Sequence, residues 1–330
     1  MQPASATLHA ISREAPALSR FERLKALVLE VPEVAAWPQM TRLIARAGHR
    51  EGISVWEYPV AACVAAGGSE ERALPGAAAI FCALLSIHLV DDLLDEDPAG
   101  DYHRIGAGAA ANLATAFQAT AHRLLERADV AAGTRAELQA RLAGAFLSTA
   151  QGQSLDAIET SGEPGYWQRV EAKTPPLFAG ALAIGALLAG APAASVAGLD
   201  RLGRWLGRSV QVSDDLSDAL KAPAEADWAR PRNNLALLYA LVAGHDDRDE
   251  FERLAGRVHE PEALAAAQRI LLKSGAVSYC VHTLVESLAA ARRELALLDL
   301  PFPAAIETLV EGLTRPVDYL LAAGGLESGA

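Results

Sequence analysis

An all-α fold, a single large helical bundle with its site in the core between facing helices, is what three features of this 330-residue chain predict. Apolar residues recur at i, i+3 and i+4 in almost every segment instead of alternating, and runs of β-branched residues are scarce. Hydrophobic residues make up 51% of the chain against 21% charged, ample for a large core and too apolar for disorder. No hairpin signal, disordered linker or short repeat divides it. Length permits one or two domains, and the unbroken helical pattern favours one over residues 1–330, with 1–20 as a flexible N-terminal segment.

Gly and Pro punctuate the pattern into successive helices. The first, over about 54–67, stops at Gly67-Gly68, and the second, 75–95, stops short of Pro98-Ala99-Gly100. Helices over 105–128 and 133–159 follow, the latter closed by Gly162-Glu163-Pro164-Gly165. The pair 176–190 and 196–220 flank Pro192, with Pro223 after the second. A short helix over 233–243 opens beyond Pro231, a long one over 262–298 ends before Pro301, and the last, 303–323, begins at Pro303. The stretch from Leu177 to Leu199 is apolar enough to invite a membrane reading. Its Ala and Gly content and Pro192 fit a close-packed internal helix instead. No stable membrane insertion is expected, although a greasy product would allow peripheral contact.

Formal charge is −12, from 29 Lys and Arg against 41 Asp and Glu, spread along the chain. Repulsion of phosphate backbones argues against nucleic-acid binding. One phosphorylated small molecule is still compatible, because a bound metal inverts the local sign. Cys63, Cys82 and Cys280 stand alone in apolar stretches, as buried small hydrophobes in a reducing cytoplasm do. The N-terminus lacks the continuous apolar core of a signal peptide, which adds to the expectation of a cytoplasmic protein.

Two clusters of the form D-D-x-x-D carry the chemistry: Asp91, Asp92 and Asp95 in IHLVDDLLDEDP, and Asp214, Asp215 and Asp218 in SVQVSDDLSDAL. Positions i and i+4 lie on one helix face with i+1 beside them, so each cluster fans carboxylates in one direction. Each ends an apolar run, where unpaired carboxylates are costly. Two fans facing each other make a site for hard divalent cations, most naturally Mg²⁺ with a phosphorylated ligand. A third acidic group, Asp246, Asp247 and Asp249 in GHDDRDE, lies in polar sequence and reads as a turn or helix start. A di-iron site would need Glu-x-x-His pairs, and none of the eight histidines has Glu three residues before it. His88, three residues before Asp91, fits a satisfied core histidine better than a ligand.

With these motifs in place, the chain resembles the trans-isoprenyl diphosphate synthase (polyprenyl synthetase) family from about residue 53 to 323. Weaker motifs stand in the family's order. Gly152-Gln153 with Asp156 matches G-Q-x-x-D, and Lys173-Thr174 matches its K-T pair. Gln211 matches the glutamine of F-Q-x-x-D-D, with Val210 in place of the aromatic. Asp227 and the ending L-L-Y-A-L in DWARPRNNLALLYAL fit a further motif, with Arg232 at its lysine and Asn234 at its threonine. The resemblance implies an isoprenoid-synthase bundle, a homodimer, and Mg²⁺-assisted ionisation of an allylic prenyl diphosphate. It makes Asp91, Asp95 and Asp214 the direct metal ligands, with Asp92, Asp215 and Asp218 assisting. Lys173 and Arg232 would hold diphosphate oxygens. Thr174 and Gln211 would turn oxygen dipoles towards the carbocation left in a dry cavity. Product length in the family is set by bulk about one turn before the first motif. Here Ser86 and Ala83 are small, which implies a deep pocket, also lined by Gln153, for about four isoprene units.

The resemblance breaks at the second substrate. Elongation needs a basic site for isopentenyl diphosphate, the family's G-G-K-R-x-R-P. With Pro59 as the motif's proline, Val55, Trp56 and Tyr58 occupy its three basic positions, and none can grip a diphosphate. The Arg-Arg-Gly expected after the first aspartate motif is also missing; Arg50 and Arg104 are the nearest substitutes, neither in register. Three readings follow. The first is prenyl transfer with an altered isopentenyl diphosphate site or another acceptor. The second is a terpene synthase on the same scaffold, ionising one C15–C20 diphosphate, with Trp56 and Tyr58 either stabilising a cation or filling core. Against it, the later metal motif keeps the prenyltransferase form rather than the N-S-E type of cyclases. The third is a silent partner subunit of a hetero-oligomer, ranked last because all six aspartates survive. Prenyl transfer is placed first.

Overall fold

Helix follows helix from Arg20 to Ala323, and among the described residues no strand interrupts them. The computed structural model describes residues 18–47, 54–97, 99–158 and 162–323, the side chains of 315–323 excepted. The first elements are α1 (Arg20–Leu29), α2 (Pro32–Ala35), α3 (Pro38–Arg46), a 3₁₀ turn (Val55–Glu57), α4 (Tyr58–Ala65) and α5 (Glu70–Leu94). Then come α6 (Tyr102–Ile105), α7 (Ala107–Glu126), α8 (Ala132–Asp156), α9 (Gly162–Lys173), α10 (Pro175–Ala189) and α11 (Ala193–Leu220). Two 3₁₀ turns (Ala226–Ala229 and Pro231–Asn233) lead to α12 (Leu235–Val242), α13 (Arg248–Ala255), α14 (Pro261–Ser274), α15 (Ala276–Ala296) and α16 (Ala304–Ala323).

Each predicted helix has its counterpart, with ends moved by local chemistry. Helix α5 begins ahead of Pro75, because Ser69 caps it by accepting from Arg72 N at 3.3 Å. Glu70 and Glu71 fill its first turn, where the helix dipole favours acid. The predicted helix over 262–298 is two helices. Gly275, at φ +88°, ends α14 in the left-handed region, and α15 starts anew. Sequence reasoning missed α1 to α3, α6 and α9, and marked α13 only by a possible start. Residues 1–17 of the supposed flexible segment lie outside the described residues, and Arg20 already belongs to α1. Helices α2 and α3 open on Pro32 and Pro38, and α9 carries Pro164 in its first turn. Proline there lacks an N–H that no helical carbonyl would have accepted, so these prolines start helices rather than break them. The third acidic group behaves as predicted, with Asp247 as N-cap of α13 and Asp249 in its first turn.

Helix α10 is the centre of the packing. Its residues from Pro175 to Leu188 are buried, because α4, α5, α8 and α11 cover it on all sides and its Ala and Gly side chains admit them closely. The apolar stretch that invited a membrane reading is thus largely an interior helix of the bundle. The apolar core falls into two clusters. One gathers α1 to α5, α7, α10 and the first half of α11, from Val196 to Leu206. The other gathers Tyr166 and Val170 of α9, Val212 and Ala219 of α11, and helices α12 to α15. Helix α11 and the α9–α10 joint therefore run along the seam between the two clusters. Cys63, Cys82 and Cys280 are buried and form no disulfide, and burial lifts the Cys63 thiol to about 11.

Candidate active site

Both aspartate clusters end their helices. Asp91 and Asp92 lie in the last turn of α5 and Asp95 caps it, while Asp214, Asp215 and Asp218 occupy the end of α11. A helix C-terminus already carries partial negative charge, so six carboxylates placed there are disfavoured until cations answer them. Burial, reinforced by the charge of Asp91, pushes the Asp95 carboxyl up to about 6. Burial also raises Asp92, which accepts from the Asp101 N–H at 3.4 Å.

Lys173, the last residue of α9, supplies the first cation. Its Nζ lies 3.1 Å from Asp91 Oδ1 and 2.5 Å from Oδ2 of Asp156, the last residue of α8. Arg169, one turn earlier on α9 and 2% exposed, pairs with Asp156 Oδ1 at 3.0 Å and donates to the Asn233 carbonyl. Arg230 approaches from the turns between α11 and α12, 3.6 Å from Asp95 Oδ1. Gly152 permits this gathering: a Cβ there would lie 2.4 Å from Lys173 N, so only glycine lets α8 press against the end of α9. Thr149 fastens the contact by donating to the Lys173 carbonyl at 3.0 Å.

Thr174, next in the chain, bonds to the other cluster. Its hydroxyl donates to Gln211 Oε1 at 2.5 Å, and Gln211 Nε2 donates to Asp215 Oδ1 at 2.8 Å. Pro175 and Pro176 open α10, which sets Lys173 and Thr174 at a bend between two helices. Consecutive residues thus reach the two aspartate motifs.

Asp215 is the buried member of its cluster, at 2% exposure. Its Oδ2 accepts from Tyr166 OH at 2.7 Å and from Leu235 N at 2.8 Å. Burial raises its carboxyl, opposed by the Arg169 cation and by these donors. Asn234 caps α12 by accepting from Ala236 N and Leu237 N, and donates to the Asp215 carbonyl and the Asp227 carboxylate, both at 2.6 Å. Asp214 is exposed, and Asp218 pairs with Lys221 at 2.7 Å.

Ala83, Ser86 and Gln153 are buried, and the Ser86 hydroxyl has no hydrogen-bond partner. Trp56 stacks on Phe21 with centroids 5.3 Å apart, and Tyr58 meets Phe178 edge-on at 5.2 Å. Both rings belong to the first core cluster, the space-filling role. Arg104 is exposed and pairs with Asp101. Arg232 is partly buried on the turn Pro231–Asn233, and Arg50 lies outside the described residues. His88 is exposed, which corrects the expectation of a core histidine, and its charge acts on Asp92. Clefts of about 410 Å³ lie away from the aspartates, one between α2–α3 and α7, the other between α11 and α15. Sequence reasoning missed Arg169, Arg230 and Tyr166. Arg169 was legible once α9 is recognised, since it stands at i−4 from Lys173 on the same face.

Among the described residues no three Asp, Glu, His or Cys side chains converge closely enough to hold an ion. The donor chemistry nevertheless fits Mg²⁺. Asp91 and Asp95 offer hard oxygens, Asp91 Oδ1 is buried without a hydrogen bond, and Asp95 is crowded by like charge. Lys173 stands at Asp91 as the present countercharge.

Asp227 makes the network pH-sensitive. Burial and the charge of Asp215 raise its carboxyl from 3.8 to about 6. A carboxyl raised on folding contributes stability that is complete below its unfolded value and lost as pH rises through the folded one. Asp227→Asn is therefore expected to gain melting temperature relative to wild type as pH rises from about 4 to about 7. Thermal melts across that range check it, and a difference independent of pH would count against it.

The family model for polyprenyl synthetase matches residues 60–270. A nonaprenyl diphosphate synthase of Mycobacterium tuberculosis is 31% identical over 167 residues, 48% of this chain and 48% of that protein. The chain spans about half the length of the curated relatives it matches first. A geranylgeranyl pyrophosphate synthetase from Pyrococcus horikoshii superimposes with a TM-score of 0.76 at 19% identity, over 90% of this chain and 98% of that one. A polyprenyl synthase from Caulobacter crescentus, complexed with calcium and isoprenyl diphosphate, gives 0.74 at 24% identity, over 92% and 99%. At these identities the superpositions speak to fold.

Proposed function

Because the chain belongs to the polyprenyl synthetase family, we propose that it ionises an allylic prenyl diphosphate and transfers the prenyl group, with an altered isopentenyl diphosphate site or a different acceptor. One observation carries the reading. Lys173 and Thr174, adjacent in sequence, join the two aspartate motifs, Lys173 through Asp91 and Thr174 through Gln211 to Asp215. Mg²⁺ held by Asp91, Asp95 and Asp214 would neutralise the departing diphosphate as a Lewis acid. Lys173 binds a diphosphate oxygen by a charge-assisted bond, with Arg230 and Arg232 adding positive charge from the turns before α12. Thr174 and Gln211 hold each other in place, which fixes their oxygens next to the ionising carbon.

The second reading, a terpene synthase using one C15–C20 diphosphate, is favoured by one observation. Val55, Trp56 and Tyr58, at the positions where elongation needs cations, are 7%, 3% and 1% exposed, so this segment offers apolar surface to the core instead of charge to a second diphosphate. Incubation with farnesyl or geranylgeranyl diphosphate and Mg²⁺, with and without isopentenyl diphosphate, separates the two. A longer diphosphate formed only with the second substrate means transfer; a hydrocarbon or alcohol formed without it means cyclisation. Hydrolysis at background rate alone would reject both. Ser86→Phe is expected to shorten the chain accepted or formed, because a phenyl ring fills the buried space one turn before Asp91. An unchanged product would contradict a pocket at Ser86.

A homodimer belongs to the same proposal. Ala140, Ala143, Gly144, Leu147 and Ala150 form an exposed uncharged stripe on α8, with Leu147 75% exposed. A cytoplasmic location completes it, supported by three buried unpaired cysteines.

A further inference from the structure

We propose that Arg169 positions Lys173 for the substrate diphosphate, acting through Asp156 without touching the substrate; the proposal rests on the reading that this site binds an allylic diphosphate. Asp156 is shared between two cations. Arg169 takes Oδ1 at 3.0 Å and Lys173 takes Oδ2 at 2.5 Å. One carboxylate against an ammonium and a guanidinium leaves the trio with one surplus positive charge. Lys173, also 3.1 Å from Asp91 Oδ1, is the member of the pair nearest the first aspartate motif. Arg169, at 2% exposure, is shielded from water, so its charge acts at full strength on its neighbours.

Geometry adds to charge. The Arg169 fork also donates to the Asn233 carbonyl, and Asn233 Nδ2 donates to the Asp156 carbonyl at 2.9 Å. The end of α8, where Asp156 holds the Lys173 ammonium, is thereby tied to the turns that carry Arg230 and Arg232. Without Arg169, Lys173 alone faces the Asp156 and Asp91 carboxylates, and an incoming diphosphate meets one positive charge fewer. A unit charge removed on the order of 10 Å from a bound anion, at an effective dielectric of roughly 20, lowers affinity at least about tenfold.

The test compares the full-length wild type with Arg169→Met, Arg169→Lys and the double variant Asp156→Asn/Arg169→Met. Binding of inorganic diphosphate with Mg²⁺ is measured by calorimetry, beside KM and kcat for geranylgeranyl diphosphate. Arg169→Met is expected to weaken diphosphate binding and raise KM about tenfold, with kcat within about threefold. The double variant restores the net charge of the group and is expected to recover most of the binding, and Arg169→Lys, which keeps the charge but loses the fork, to bind more tightly than Arg169→Met. Unchanged diphosphate affinity in Arg169→Met overturns the proposal. So does a loss that the double variant fails to recover, which marks Arg169 as a structural residue only. Should Arg169→Met not fold, the double variant decides alone: near-wild-type binding supports the proposal and a tenfold loss overturns it. If wild type turns over no allylic diphosphate, the functional reading falls, and the binding comparison still decides on Arg169.

Discussion

Asp91→Ala is expected to lower kcat/KM for an allylic prenyl diphosphate by about a thousandfold while leaving helical content unchanged. The two halves of that expectation have separate causes. Asp91 Oδ1 is a buried oxygen with no hydrogen bond, 3.1 Å from Lys173 Nζ. Its removal takes a hard oxygen from the proposed metal set and one of the two carboxylates that hold the ammonium in place. Stability is little affected, because Lys173 keeps Asp156 at 2.5 Å and no buried cation is left unpaired. Loss of a negative charge at the end of α5 even relieves repulsion with the helix dipole. Asp214→Ala should behave likewise, since Asp214 is exposed and its replacement opens no cavity. Steady-state turnover beside circular dichroism and a thermal melt is the measurement. An Asp91→Ala protein that keeps its turnover would sink the mechanism.

How much of this was legible in the sequence depends on whether a residue's role is local or tertiary. The two clusters were visible because i and i+4 spacing at the end of an apolar run is a local pattern, and both do end helices. The α9 helix was hidden by Gly162, Pro164 and Gly165, which read as a break yet fill the first turn, where they cost little. With α9 went Tyr166 and Arg169, the two buried polar residues that tie Asp215 and Asp156 into place. Motif position marked Arg232 but not Arg230, which stands just before the same turn and lies 3.6 Å from Asp95 Oδ1. No periodicity marks which arginine of a Pro-flanked turn points inward, because that depends on where α8 and α9 lie. Trp56 and Tyr58 could be read as cation-stabilising faces or as core. Packing against Phe21 and Phe178, residues far away in sequence, decides what the rings touch.

Asp215→Leu is expected to cost about 3–5 kcal/mol of stability, in contrast to its neighbour Asp214. The substitution removes both acceptor oxygens and forces a bulkier side chain into a buried site. Tyr166 OH and Leu235 N, 2.7 and 2.8 Å from Oδ2, would then be buried donors without a partner, and the partly buried Gln211 Nε2 would lose its acceptor at 2.8 Å. Each such loss costs about 1–3 kcal/mol. Tyr166 and Leu235 anchor α9 and α12 to α11, so the damage spreads to the segment that carries Lys173 and to the cap of α12 at Asn234. The melting temperature should fall by roughly 5–15 °C. Asp215→Asn retains one acceptor oxygen and should lie between the two. A leucine variant that melts with wild type would mean that these bonds do not hold the helices together. The adjacent positions also differ in kind of failure: Asp214→Ala loses turnover and stays folded, Asp215→Leu loses the fold that turnover needs. Both oxygens of Asp215 are already committed to protein donors, which suits the assisting role proposed for it beside Asp214.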